Sequence, residues 1–231
     1  MTDHNKSQAS PEMVEGPFYS KGGQYRSNLR EGQPGQKLDL TITVLNTETG
    51  EPIAGVDVDL WHCNATGHYS GYDVNPDELP ENISNGQPAT NDDTFLRGRL
   101  TTDAEGKVTF LTIYPGWYTL RTPHIHLKVF EGDNCNTTTQ LYLPEELNQQ
   151  LYNTPDYARN ATQDTFNRTD PVFGNTPGDT DSLWIDIEKR PDVYVGSATL
   201  SITPGNINEL IIVPPGRIPP LGGRSHDKPV R

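Results

Sequence analysis

Two histidines and a tyrosine in one short stretch have the types and the spacing to bind a metal ion. His124 and His126 are two residues apart in residues 123–130, whose alternating apolar side chains predict a β-strand. Side chains two apart on a strand point to the same face, so these imidazoles would form a two-nitrogen chelate. Tyr118 follows a Pro-Gly turn just upstream, which can bend its phenol back toward them. Imidazole binds iron, copper, zinc or nickel, whereas a phenolate favours a hard, highly charged cation such as ferric iron.

A second stretch, residues 59–73, adds groups of the same kind. It contains a predicted strand with Trp61, followed by the tetrapeptide Gly67-His68-Tyr69-Ser70. A lone His-x-His pair is equally compatible with two structural histidines on a strand. Tyr69 supplies a second phenol and favours a metal site over that alternative.

Three patterns, taken together, resemble the intradiol ring-cleavage dioxygenases, and the resemblance covers residues 11–204. The patterns are Gly-x-Tyr-Ser after a tryptophan-containing strand (residues 67–70), Pro-Gly-x-Tyr (residues 115–118) and Arg-x-Pro-His-Ile-His (residues 121–126). That family holds a non-haem ferric iron with two tyrosinates and two histidines. The resemblance therefore implies an Fe(III) cofactor, with the ligands Tyr69, Tyr118, His124 and His126.

The resemblance also implies a reaction. Enzymes of this family bind catechol-type substrates to Fe(III) and insert O2 between the two hydroxyl-bearing carbons, giving cis,cis-muconate-type diacids. Tyr118 has the position of the ligand that the substrate displaces, and Arg121 that of the catalytic arginine. Gln140 has the place of a glutamine that hydrogen-bonds in the site. The segment Gly16-Pro17-Phe18-Tyr19 resembles an N-terminal segment that contributes to the substrate pocket, so the predicted pocket residues are Gly16, Pro17, Phe18 and Tyr72.

Other side chains of ligand type lie within the same patterns. Tyr114 is the alternative ligand if Tyr118 is free, whereas His68 is expected to be exposed and His62 to be structural. Trp61 and Trp117 are expected to be core aromatics. A Cys63 thiolate beside two phenolates would be chemically unusual, so Cys63 is discounted as a ligand.

Three other functions compete with ring cleavage. A secreted β-sandwich that binds without catalysis would lack a ligand or the arginine, and neither is missing. An Fe(II) oxygenase with two histidines and one carboxylate would need Asp57, Asp59 or Asp73, but it gives no reason for the two tyrosines. Zinc hydrolysis is disfavoured because zinc has little use for two phenolates.

The elements that must position these residues are short strands. Hydrophobic residues make up 32% of the 231, beside 21 glycines and 20 prolines, a composition typical of loop-rich β proteins. We predict an all-β fold, an antiparallel β-sandwich with long active-site loops and one short helix at residues 144–152. The predicted strands are 37–45, 56–61, 95–100, 107–113, 123–130, 140–143, 183–187 and 197–202, with a final one at 210–213. Residues 1–10 are predicted to be disordered, residues 11–213 to form the domain, and residues 214–231 to be a flexible tail.

The charge and the cysteines bear on partners and location. A net charge of −13 argues against nucleic acid and anionic membranes as partners. Asn-x-Ser/Thr sequons favour secretion and a glycoprotein, as would a disulfide between Cys63 and Cys135, although two unpaired thiols are equally compatible. Family-style dimerisation uses a helical N-terminal region that the chain lacks, which favours a monomer. The sequons begin at Asn5, Asn64, Asn82, Asn136, Asn160 and Asn167.

Overall fold

Two four-stranded sheets pack face to face around one large hydrophobic core. The structure is a computed structural model that describes residues 7–78, 86–178 and 180–208. Its elements, in chain order, are β1 (Lys37–Asn46), β2 (Asp57–Trp61), β3 (Arg97–Thr101), β4 (Lys107–Ile113), β5 (His124–Glu131), β6 (Asn134–Tyr142), α1 (Glu145–Leu151), β7 (Asp186–Lys189) and β8 (Tyr194–Ile202). The predicted sandwich with one short helix is thereby confirmed.

The strand order of the first sheet is β4-β1-β8-β7, and that of the second is β3-β2-β5-β6. Neighbouring strands are antiparallel except β1 and β8, which pair in parallel over residues 38–46 and 194–202. The sheets are therefore antiparallel, as predicted, apart from this one pair. The alternation of apolar and polar residues is the same in either direction, so it carries no information on strand orientation.

Alternating side chains of strand β5 place apolar residues on one face of the sheet and the two histidines on the other. Ile125, Leu127 and Val129 are fully buried in the core between the sheets. His124 and His126 point to the opposite face, as period-2 alternation requires. The two histidines thus stand on the outer face of the second sheet, and that face must be covered by another part of the chain to become buried.

The cover is the N-terminal strap, which we define as residues 11–19. The Met13 N–H donates to the Thr138 carbonyl over 2.8 Å. Farther along, Glu15 Oε2 lies 2.8 Å from Lys128 Nζ in a buried ion pair. These contacts hold the strap across β5 and β6 and remove the outer-face histidines from solvent.

Three segments differ from their prediction. Strand β6 begins at Asn134, although residues 131–138 were predicted to be a polar loop; their threonines are buried beneath the strap, a role that composition does not indicate. Residues 7–10, predicted to be disordered, hydrogen-bond to the first sheet, since the Ser10 N–H donates to the Ser201 carbonyl over 2.8 Å. The predicted strand 210–213 and the tail 214–231 lie outside the described residues.

Residues 153–181, predicted to be irregular surface, fold back against the second sheet. Short 3-10 helices punctuate this connection, at Pro155–Tyr157, Asn167–Thr169, Phe173–Asn175 and Asp181–Leu183. No helix in the described part of the chain has the length and apolar content needed to cross a bilayer.

Both cysteines are free thiols, so of the two alternatives left open by the sequence the disulfide is the wrong one. Cys135 pairs in register with Phe130, and Phe130 with Asp57. Cys63 lies six residues beyond Asp57, at the other end of the sheet, which corresponds to about 20 Å along the strand. A disulfide requires Cα atoms within about 7 Å of each other.

Candidate metal centre

Four donor atoms from three parts of the chain converge on one point. His124 Nε2 lies 3.0 Å from His126 Nε2 and 3.2 Å from Tyr118 Oη, while Tyr69 Oη lies 3.1 Å from His126 Nε2 and 3.4 Å from His124 Nε2. All four side chains are at most 4% exposed. Strand β5 supplies both histidines, the turn before it supplies Tyr118, and the loop after β2 supplies Tyr69. The structure therefore brings together all four residues that were predicted to bind iron.

The turn before β5 fixes Tyr118 beside Arg121. The Arg121 N–H donates to the Tyr118 carbonyl over 3.1 Å, and Leu120 adopts a left-handed φ of +66°. Asp164 caps the outside of the turn, where it accepts from Thr119 Oγ1 at 2.6 Å and from the Leu120 N–H. A non-glycine residue in this conformation is strained, so the turn is held by its contacts rather than by preference.

Packing against the backbone and the strap fixes Tyr69. Gly67 adopts a φ of +91°, and a Cβ there would lie 2.4 Å from the Trp117 carbonyl oxygen, so only glycine permits this approach of the two loops. The Phe18 ring stacks on the Tyr69 ring with centroids 4.6 Å apart. Behind Tyr69, the Arg97 guanidinium donates to Ser70 Oγ and to the Phe18 carbonyl.

Hydrogen bonding defines which nitrogen of His124 is available to a metal. His124 Nδ1 lies 2.7 Å from the Thr122 carbonyl, which can only accept, so Nδ1 carries the proton. Burial, and then the nearby Arg121 charge, lower the pKa of His124 well below its ordinary value. His124 is therefore neutral, with a lone pair on Nε2 that points at the other three donor atoms.

A network of hydrogen bonds alone does not satisfy this cluster. The single lone pair of His124 Nε2 is approached by three groups, and it can accept one good hydrogen bond. His126 Nδ1 is buried and has no partner among the described residues, so hydrogen bonds between protein groups leave this nitrogen unsatisfied in either tautomer. A cation at the centre would use a lone pair from each of the four residues.

The distances and the donor types fit a metal ion. Metal–ligand bonds of about 2.1 Å place adjacent ligand atoms about 3.0–3.4 Å apart in octahedral or tetrahedral sites. Four pairs of the donor atoms have distances in this range. Burial raises the pKa of Tyr118 to about 12, despite the opposing charge of Arg121, and raises the pKa of Tyr69 well above its ordinary value. Both phenols are therefore protonated without a metal, and a strongly charged cation is needed to displace their protons.

Arg121 and Gln140, predicted to be catalytic, lie against this cluster and against each other. Arg121 Nη1 is 3.5 Å from Tyr118 Oη, and Nη2 donates to Gln140 Oε1 over 2.5 Å. Gln140 is in turn anchored to the strap, because its Nε2 donates to the Val14 carbonyl. The guanidinium is thus aimed at the one tyrosine that was predicted to be displaced.

Sequence reasoning missed two members of this network. Tyr142 Oη donates to Gln140 Oε1 over 3.1 Å, and the alternation of β6 could have placed it on the same face as Gln140. Asp170 Oδ2 accepts from Arg121 Nε over 2.9 Å. Asp170 lies in the connection predicted to be irregular surface, and no local pattern marks it.

The four predicted pocket residues occupy different positions. Phe18 and Tyr72 line a small cavity of about 10 Å³ beside Tyr69 and Tyr118, the two predicted tyrosine ligands. Gly16 lies against the metal centre, since a Cβ there would be 3.2 Å from His126 Cε1. Pro17 does not line the cavity, and its carbonyl accepts from the Gln87 N–H. The cavity is bounded by Phe18, Gly67, Tyr69, Tyr72, Val74, Pro76 and Tyr118.

The alternative ligands lie outside the cluster. Tyr114 Oη donates to Asn148 Oδ1 over 2.7 Å, and the fully buried His62 is held by Thr112 Oγ1 and the Cys63 carbonyl. His68 is exposed, as expected. Trp61, expected to be a core aromatic, is buried but stacks on the His126 ring at 4.8 Å, where it supports a ligand.

Comparisons with known proteins identify the family of the chain. A family model described as Dioxygenase matches residues 14–169. The chain is 35% identical over 130 residues to the protocatechuate 3,4-dioxygenase beta chain of Burkholderia cepacia, which spans 52% of this chain and 50% of that one. It is also 35% identical over 154 residues to catechol 1,2-dioxygenase 2 of Acinetobacter lwoffii, covering 57% and 50%. The chain thus spans about half the length of these curated relatives.

A solved structure matches over more of the molecule. The intradiol ring-cleavage dioxygenase from Tetranychus urticae superposes with a TM-score of 0.79 and 30% identity, covering 88% of this chain and 98% of that one. The family match extends over more than half of the chain and includes all four converging side chains. This chain therefore belongs to the intradiol ring-cleavage dioxygenases.

Proposed function

We propose that this protein cleaves catechol-type rings between the two hydroxyl-bearing carbons, using Fe(III), O2 and the Tyr69–Tyr118–His124–His126 centre, and releases cis,cis-muconate-type diacids. The observation that carries the proposal is the convergence of two phenol oxygens and two imidazole nitrogens, each of which lies 3.0–3.4 Å from at least one of the other three atoms. When bound, ferric iron supplies the positive charge that ionises phenols and the oxidising power that makes the ring reactive toward O2.

The residues of the chain prepare the site for this reaction. Tyr118, once ionised, is a base beside the substrate position, and Arg121 Nη1 is 3.5 Å from its oxygen. A fixed guanidinium there stabilises negative charge that develops on the ring, because it does not have to reorient during the reaction. Tyr69 is packed between Phe18 and Arg97, which favours a ligand that stays in place.

The cavity wall favours catechols without a carboxylate. Its lining is apolar or phenolic among the described residues. Arg97, the nearest cation behind Tyr69 and Tyr72, is engaged by Ser70 and the Phe18 carbonyl. Since burial of an unpaired carboxylate is unfavourable, we expect the protein to act on catechol and to discriminate against protocatechuate, which carries one.

The competing metal chemistry finds no support in the geometry. The three carboxylates that could complete a site of two histidines and one carboxylate are all engaged elsewhere. Asp59 binds Arg99 and Tyr19, Asp57 binds Tyr25 and Thr101, and Asp73 binds Thr90 and Asn91. A non-catalytic binding module would have no need for a buried arginine aimed at a buried phenol.

The experiment is iron loading followed by spectroscopy and turnover. We expect visible absorption from tyrosinate-to-iron charge transfer, a further shift to longer wavelength with catechol under anaerobic conditions, and muconate carrying both atoms of ¹⁸O2 in air. Tyr118→Phe should weaken and shift the charge-transfer band, because Tyr69 remains as a phenolate ligand, and should lower turnover at least about 100-fold, the scale expected when a site's central electrostatic group is removed. Tyr114→Phe is the matched control, because Tyr114 is a buried tyrosine of the same segment whose hydroxyl bonds only Asn148 among the described residues, and it should keep the wild-type spectrum.

Two results would contradict the proposal. One is a protein that stays colourless with a stoichiometric ferric ion; the other is a coloured protein that releases a product cleaved outside the two hydroxyl-bearing carbons. For the substrate preference, kcat/KM for protocatechuate should be at least about 10-fold below that for catechol. Equal kcat/KM values for the two substrates would contradict the predicted preference but not the proposal of ring cleavage.

A further inference from the structure

Asp170 receives hydrogen bonds on both sides of its carboxylate. Oδ2 accepts from Arg121 Nε at 2.9 Å and from the Thr122 N–H at 2.8 Å. Oδ1 accepts from the N–H groups of Val172 and Phe173 at 2.8 and 3.0 Å. The side chain is fully buried. Its position is therefore set by the backbone of two separate segments and not by the arginine alone.

This anchor determines where the guanidinium points. A guanidinium is planar, so the contact of Nε with Asp170 helps to fix the plane and the directions of both Nη groups. Nη2 meets Gln140 at 2.5 Å and Tyr142 at 3.4 Å, and Nη1 faces Tyr118 Oη at 3.5 Å. The contacts of Nε and Nη2 together therefore set the direction in which Nη1 points toward the candidate metal centre.

Asp170 also fixes the backbone between the arginine and the first histidine. The Thr122 N–H that it binds belongs to the residue whose carbonyl holds His124 Nδ1. One carboxylate thus contacts both the Arg121 side chain and the residue whose carbonyl orients a predicted ligand. Groups in direct contact with a metal ligand change affinity or activity by about 10–100-fold when they are mutated, and Asp170 holds two groups that contact predicted ligands.

We propose that Asp170 is a positioning residue for ring cleavage, one that holds the Arg121 guanidinium against Tyr118 through the Arg121 Nε contact. The inference rests on the proposed function for its effect on turnover. Asp170 lies one residue beyond the segment that the family model matches, in the Phe166–Phe173 part of the connection after α1. The folding of that connection over the edge of the second sheet brings the carboxylate to Arg121 across 49 residues of sequence.

The test compares kcat and KM for catechol in Asp170→Asn, Arg121→Lys and the double variant, each loaded with iron. A lysine ammonium cannot reproduce the planar guanidinium with its N–H donors in fixed directions, so Arg121→Lys loses the geometry that Asp170 maintains. We expect Asp170→Asn to lower kcat about 10–100-fold with KM changed less than about 3-fold. In the Arg121→Lys background the same substitution should lower kcat less than about 3-fold further, because the two residues act as one unit.

Asp39→Asn is the matched control. Asp39 lies on β1 in the first sheet, where it is the carboxylate partner of Arg30 at 2.6 Å, and its substitution should leave kcat within about 2-fold of wild type. The proposal is overturned if Asp170→Asn keeps wild-type kcat, if its effect multiplies with that of Arg121→Lys, or if Asp39→Asn lowers kcat equally.

A measurement on the metal-free protein needs no turnover. In ¹H–¹⁵N NMR spectra the Arg121 Nε–H, assigned by its absence in Arg121→Lys, should exchange with solvent far more slowly than that of the exposed Arg168. Equally fast exchange would show that Asp170 does not hold the guanidinium. A protected Arg121 signal in the metal-free protein, together with no cleavage of catechol after iron loading, would defeat the proposed function and keep the anchoring by Asp170.

Discussion

At the residue scale, the metal centre depends on neutral, buried side chains that are held very close together. Burial lowers the pKa of His126 well below its ordinary value, with His124 as the next largest cause, so both imidazoles keep a lone pair for a metal at neutral pH. Trp61 stacks on one face of the His126 ring, and Gly16 approaches its Cε1 atom. The absence of a side chain at Gly16 is therefore part of the ligand geometry.

We predict that Gly16→Ala weakens iron binding, and Gly55→Ala is its matched control. The two glycines have nearly the same left-handed φ, +79° and +78°, but a Cβ at Gly55 meets nothing within 4 Å. Both substitutions should lower the free energy of unfolding by about 1–2 kcal/mol through backbone strain. Only Gly16→Ala should also reduce iron occupancy at limiting iron, measured by visible absorption. Equal occupancy in the two variants would contradict the contact with His126.

We predict that the free energy of unfolding of the metal-free protein decreases in mild acid because of the buried His62. Burial lowers the pKa of His62 from 6.5 to about 4, so the unfolded chain binds a proton between these values that the folded protein does not. Stability is therefore complete above pH 6.5 and falls as the pH drops toward 4, by about 3 kcal/mol for this group.

Urea unfolding of the metal-free protein between pH 7.5 and 4 measures this effect. His62→Gln removes the titrating group, so the difference in unfolding free energy between variant and wild type should shrink as the pH falls. A difference that stays constant over this range would show that His62 does not titrate as its burial requires.

At the element scale, the N-terminal strap converts an outer sheet face into a buried site. Strand β5 places His126 and Lys128 on that face, and the strap brings Gly16 and Glu15 over them. Phe18, near the end of the strap, stacks on Tyr69 and lines the cavity. The strap therefore contributes both to the enclosure of the metal centre and to the wall that a substrate meets.

Breaking the ion pair under the strap should be strongly destabilising. Lys128 and Glu15 side chains are 7% and 8% exposed, so Lys128→Met leaves a buried carboxylate without its partner and should lower the free energy of unfolding by about 3–5 kcal/mol. The double variant Glu15→Leu/Lys128→Met should recover most of this loss. Arg190→Met, which breaks the exposed pair with Glu188, is the control and should have no measurable effect. Chemical denaturation of the four proteins decides between these outcomes, and equal losses for Lys128→Met and the double variant would contradict the mechanism.

At the scale of the whole molecule, the sandwich keeps its cysteines far apart and buries several of its sequons. Asn136 is fully buried and Asn167 is 7% exposed, whereas Asn160 is exposed. Glycosylation would thus be compatible with the fold at Asn160 but not at those two. The extracellular location stays a prediction, and it now rests on the sequons without support from a disulfide.

We predict that the protein has two titratable thiols and that reducing agent leaves its melting temperature unchanged. Burial raises the pKa of Cys63 to about 12, so a thiol reagent should modify only the half-buried Cys135 under native conditions and both cysteines in denaturant. Cys135→Ser should abolish the native reaction. A protein that yields no thiols until it is reduced would show that a disulfide forms after all.

The sequence by itself predicted the four residues that converge and most of the strands. Local patterns name Tyr69, Tyr118, His124 and His126, because ligand type and spacing are properties of a short segment. Alternation predicted β5 and its two faces, since a strand that is buried on one side must repeat every two residues.

Only the tertiary structure decided what depends on contacts across long stretches of sequence. The parallel pairing of β1 with β8, the burial of the threonines of β6 under the strap, and the approach of Asp170 to Arg121 involve segments far apart in the chain. None of these three contacts is marked by a local pattern. The sequence around a polar residue looks the same whether a distant segment buries that residue or it lies in an exposed loop. The predicted ligands thus follow from short segments of the sequence. The burial of the site and the orientation of Arg121 depend on contacts between distant segments.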